Sequence, residues 1–134
     1  MSDNGLVTLS SRFPVRETID RLVEKVTSLG LNVFARVDHA AGAARVGMPL
    51  RPTELLIFGN PKGGTPLMLD QQSTGIDLPI KVLAYEDADG KVWLTYNEAQ
   101  WIAARHGLGA NSADAVKAIA AGMAAVTRYA AEGS

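Results

Sequence analysis

The chain has 134 residues, of which 47% are hydrophobic and 20% charged, with a net charge of −1. That size and balance suit one folded domain that buries its own core, and argue against disorder and against a general nucleic-acid binder, which needs a basic surface. With no cysteine and only two histidines, thiol catalysis, disulfides, thiolate metal sites and a histidine-rich zinc site are excluded, so no metal and no cofactor are expected.

The opening residues 1–11, MSDNGLVTLSS, lack the charged start and apolar run of a signal peptide, and no apolar stretch nears the length of a membrane span. The expectation is a cytoplasmic protein without a membrane partner. Residues 5–11 read as a first strand. In residues 13–30, Val15, Ile19, Leu22, Val23, Val26 and Leu29 recur at spacings that place them on one helical face, with Pro14 at the entry and Gly30 at the exit. Residues 31–38 read as a strand, and Asp38 as the cap of a short helix over 39–47. Residues 53–60, TELLIFGN, are a largely apolar strand, expected to be central and covered on both faces.

After a loop over 71–79, two alternating runs flank Asp89-Gly90 in IKVLAYEDADGKVWLTYN, residues 80–97, a hairpin signal. Asn97 and Gln100 fit a capping box for a helix that turns Trp101 and Ile102 inward and ends at Gly107. Residues 110–111 look like a joint. From Ser112 an alanine-rich helix carries the stripe Val116, Ile119, Ala120, Met123 and Val126. The order predicts an α+β fold: an antiparallel or mixed sheet with helices packed on one face, plus a C-terminal helix. The domain reading is a core over 1–110 and a helical extension over 111–134.

The corner over residues 59–66, GNPKGGTP, follows a strand and precedes a helix. It fails as a P-loop, because Thr65 stands where the lysine must be and Lys62 comes too early. Pro61 holds Asn60 extended, Gly63 and Gly64 permit positive φ, and Thr65-Pro66 makes a good helix start. The free N–H groups of such a start, with Lys62 beside them, favour a small anion. The alternative is that the corner only re-aims the chain.

The stretch DHAAGAARVGMPLRPTELLIFGNPKGGTPLM, followed by IDLPIKVLAYEDADGKVWLTYN, resembles the bacterial and archaeal family known as domain of unknown function 302. The similarity covers residues 6–108 and is strongest over 38–97. The resemblance implies a compact α+β fold and a homodimer. It implies no reaction and carries no catalytic residues.

Three kinds of function follow. The first is a non-catalytic dimeric binding or accessory module that holds a small anion at Asn60, Lys62, Gly63, Gly64 and Thr65, with Arg51 and His39 as further candidates. The second is an enzyme using His39 or Glu54 as its acid–base group, which a cleft bringing His39 and Lys62 together would favour. His39 alternatively holds its own turn, and Arg51 and Glu54 alternatively pair with each other or with surface neighbours. The third is a protein-interaction module acting through the last helix. His106, before Gly107, reads as a structural cation at a helix end, and Asp77 as a turn former. Tyr85 and Tyr96 line a pocket or face the core, Trp93 and Trp101 are packing anchors, and no serine–histidine–aspartate set is apparent.

Overall fold

The computed structural model describes residues 4–133. Its elements run β1 (Leu6–Ser11), α1 (Val15–Ser28), β2 (Asn32–Asp38), α2 (His39–Arg45), β3 (Thr53–Gly59), α3 (Pro61–Asp70), β4 (Ile80–Glu86), β5 (Val92–Asn97), α4 (Ala99–His106) and α5 (Ala113–Glu132). Short 3-10 segments lie at Gln72–Asp77 and Ala110–Ser112. The strands form one sheet in the order β1-β5-β4-β3-β2, and every neighbouring pair is antiparallel. The α+β expectation therefore holds, in its fully antiparallel form.

Opposed residues in an antiparallel pair face the same side, so the register sorts the sheet into two faces. On one face Leu56, Phe58, Val82, Ala84, Val92 and Leu94 are buried under Val15, Ile19, Leu22 and Val26 of α1 and Met123, Val126, Ala130 and Ala131 of α5. The four α1 positions make a single stripe at helical spacing, and each buried side chain contributes ~1.5–3 kcal/mol before entropy. Leu29 leaves that stripe: the helix stops at Ser28, and Leu29 is 54% exposed. α5 belongs to the same core as the sheet. Its Val116 also joins Leu67 and Ala99 in a second apolar cluster.

Three local expectations need correction. β3 is an interior strand, bonded to β2 and β4, but it is covered on one face rather than two. Leu56 and Phe58 are sealed beneath the helices, while Leu55 and Ile57 stay half-buried. Asn97 does not cap α4, because it is spent as the last residue of β5, paired with Leu6; Glu98 stands at the cap without a side-chain bond. The third is the corner. α3 starts at Pro61, not after Thr65, and Gly63 and Gly64 lie inside the helix, outside the set of glycines with positive φ.

The other punctuation behaves as the sequence indicates. The Asp38 carboxylate accepts from Ala41 N at 2.9 Å and caps α2. Gly107 closes α4 in the left-handed conformation, with φ at 66°. In the hairpin Gly90 has φ of 80°, and the Asp87 carboxylate accepts from Asp89 N, Lys91 N and Trp93 Nε1. Trp101 closes over the chain entering β1. Gly5 has φ of 78°, and a Cβ there would run into the indole ring, so this crossing requires glycine.

Asp70, at the end of α3, ties that helix to the joint before α5 by accepting from Gly109 N at 2.9 Å and Ser112 Oγ at 2.7 Å. The Gly109 amide first, and the Ser112 hydroxyl second, hold its carboxyl below the ordinary value. A carboxyl depressed in the folded state contributes stability above its unfolded pKa and loses it as pH falls toward the folded value. Asp70→Asn should therefore lower the melting temperature at neutral pH, with the difference from the parent shrinking below about pH 4. Thermal melts across that range check it; a difference that stays constant with pH would count against the assignment.

Candidate functional site

The end of β3 and the start of α3 form one wall of a cavity of about 610 Å³. Asn60 turns the chain: its extended backbone ends the strand, and its Oδ1 accepts from Lys62 N at 2.8 Å. Asn60 O then accepts from Gly63 N at 2.9 Å and Gly64 N at 3.1 Å. Pro61 has no N–H to offer. The first-turn donors that sequence reasoning assigned to an anion are thus largely engaged within the chain itself. The residues with polar side chains on the lining are Asn60, Lys62 and Thr65.

The rest of the lining is carbon. Phe58 and Ile80 of the sheet, Met68 of α3, and Ile119, Met123 and Val126 of α5 form the walls. Leu29 and Phe34, each 54% exposed, stand at its edge. Two glycines shape the space. Gly64 lets α3 approach Leu78, whose Cδ1 would lie 3.4 Å from an added Cβ. Gly122 of α5 faces open space, with nothing within 4 Å of such an atom. These residues span chain positions 29 to 126, so only the Asn60–Thr65 segment had a sequence signal.

Of the candidate residues, Asn60, Lys62, Gly63, Gly64 and Thr65 all line this cavity. His39 and Arg51 lie elsewhere. Asp38 pairs with Glu54 at one end of the β2–β3 ladder and Asn32 with Gly59 at the other. The length of β3, at about 3.3 Å per residue, therefore separates His39 from Lys62 by roughly 20 Å. His39 is exposed at the start of α2, and Arg51 donates from Nε to Glu86 O at 3.2 Å beside the hairpin. Glu54 is 5% exposed and accepts from Arg36 Nε at 2.8 Å. Arg36 Nη1 in turn donates to Asp20 at 2.7 Å. No single cleft gathers His39, Glu54 and Lys62.

A second cluster escaped the sequence reading. His106 Nε2 lies 2.6 Å from Asp77 Oδ2, and Nδ1 lies 2.9 Å from Ser73 Oγ. The two contacts occupy both ring nitrogens of His106. Arg105 Nη1 donates to both Asp77 oxygens at 3.0 and 3.2 Å. The order is that of a nucleophile relay, but Ser73 lies outside the cavity lining, and Asp77 is shared with a guanidinium. The bonds clamp the 3-10 segment to the end of α4, which fits the structural role read for His106. Tyr96 is half-buried against the core, and burial raises its hydroxyl above the ordinary value, ahead of the opposing hydrogen bond with Thr127.

Among the described residues no group of three or more histidines and carboxylates could hold a metal, and no helix is long and apolar enough to cross a membrane.

Three comparisons bear on this geometry. The sequence model of a family described as Domain of unknown function DUF302 matches residues 7–126. Two curated relatives are 57% identical over 129 residues: the Fluoride-specific ion channel FluC 1 of Brucella suis biovar 1 and the Fluoride-specific ion channel FluC 2 of Brucella melitensis biotype 1. The match takes in 96% of this chain but 51% and 48% of those proteins, so the chain spans about half their length. The crystal structure of an uncharacterized conserved DUF302 protein from Bacillus stearothermophilus superposes with a TM-score of 0.75 over 96% of both chains. At 19% identity that likeness speaks to the fold alone.

Proposed function

We propose, from the premise that the chain belongs to the DUF302 family, that it is a non-catalytic binding module whose ligand sits in the cavity beneath Asn60–Thr65. The supporting observation is the cavity itself. Its volume of about 610 Å³ falls in the range of small-molecule sites, and its few polar groups gather on one wall, as such sites require. Lys62 among them favours an anionic group on the ligand. Homodimerisation and a cytoplasmic location belong to the same proposal.

The relatives favour a second, compatible reading. Their names attach fluoride conduction to proteins about twice as long as this chain. The matched half carries no membrane-crossing helix among the residues described here, so conduction would belong to the other half. This domain would then serve as an accessory to an ion channel.

A thermal-shift screen against fluoride, phosphate, nucleotides and small carboxylates, with Lys62→Ala in parallel, tests the proposal. A ligand bound only by the folded state raises the melting temperature. The expected result is stabilisation by an anionic compound that weakens in the variant. An equal shift in both proteins would remove Lys62 from the site, and no shift from any compound would remove these small hydrophilic anions as ligands of the cavity.

A further inference from the structure

The cavity also describes what should fill it. Phosphate and fluoride are strongly hydrated, and walls built from Phe34, Phe58, Met68, Ile80 and Ile119 offer nothing in exchange for that water. The same walls reward apolar surface. The lining contains one cation, Lys62, and no carboxylate, and Lys62 has no ion-pair partner among the described residues. Lys62 shares one wall with Asn60 and Thr65. A complementary molecule therefore has an apolar body and a single anionic end.

We infer that the ligand is a small amphipathic monoanion, of the class of a medium-chain carboxylate, with its chain among Phe58, Met68 and Ile119 and its head beside Lys62. This inference rests on the binding-module reading and adds the class of ligand to it. Exposed Leu29 and Phe34 would cover the part of the chain nearest solvent.

The test is calorimetric titration of the full chain with acetate, hexanoate, octanoate and decanoate, with decanol, and with fluoride and phosphate. Two variants accompany it. Lys62→Ala removes the cation from an exposed position. Gly122→Leu places a side chain in open space on the lining, at a helical position where glycine is disfavoured, so the fold should tolerate it. Affinity should rise about fourfold for each added methylene until the space is full. Decanoate should bind more tightly than decanol in the parent, and Lys62→Ala should erase that difference. Gly122→Leu should move the chain-length limit to shorter acids.

Fluoride or phosphate binding as tightly as decanoate would overturn this inference and leave the binding module standing. Decanol matching decanoate in the parent would overturn the anionic end. If none of the probes binds while both variants remain folded, the inference and the binding reading fall together, and the apolar walls would await a protein segment instead.

Discussion

Phe58→Ala is expected to lower the unfolding free energy by about 3–5 kcal/mol. Phe58 is fully buried, opposed to Ile80 on one side and Val33 on the other, and packed beneath α1 and α5. The size of a truncation penalty depends on how far the surroundings can collapse into the space left behind. Here they are poorly placed to do so. Phe58 also lines the cavity of about 610 Å³, so losing its ring would join that cavity to the core rather than close it. The value should accordingly fall in the upper part of the range. Phe58→Leu keeps most of the volume and should cost about 1 kcal/mol. Denaturant melts of both variants check this, provided the slope against denaturant is unchanged. A loss under ~1.5 kcal/mol for the alanine variant would mean that this end of the sheet collapses readily, and that the cavity is not a fixed feature.

What the sequence made legible divides by the range of the interaction. The α1 stripe as far as Val26, the Asp38 cap, the Gly90 hairpin and the Gly107 stop are decided within a few residues, and all are found where their patterns indicate. The α3 start was harder because two signals compete: Asn60-Pro61 and Thr65-Pro66 are both a polar cap followed by proline. The first prevails, and the strand it follows ends directly at Gly59, so a helix starting later would leave an unpaired loop between them. Asn97 failed as a cap for a similar reason, since β5 claims it through pairing with Leu6, ninety-odd positions away in the chain.

Sheet order is likewise non-local. An apolar run such as Leu55–Phe58 looks the same at the centre of a sheet and one place from its edge. The long family motif across residues 38–97 gave the family, which fixes the fold and names no ligand. The cavity draws its walls from α3, α5, β3 and β4, and the Ser73–His106–Asp77 cluster joins residues some thirty positions apart. Neither leaves a periodicity to read.

Arg36→Met is expected to cost about 3 kcal/mol, because it strands a carboxylate in the core. Glu54 is 5% exposed, and Arg36 supplies its ion-pair partner at 2.8 Å. Arg36 also reaches Asp20 at 2.7 Å and the Arg16 carbonyl at 3.3 Å, so α1 is tied to the sheet edge through one guanidinium. Its own side chain is 32% exposed, which places the estimate at the lower end for a broken buried pair. Replacing both charges removes the stranded group. The double variant Arg36→Met/Glu54→Leu should therefore regain most of the loss, and the cycle should show coupling of about 1–3 kcal/mol. Chemical denaturation of the parent, both single variants and the double variant measures it. A firm coupling means that Arg36 and Glu54 stabilise the fold as a pair. Costs that simply add would mean that the two residues act separately.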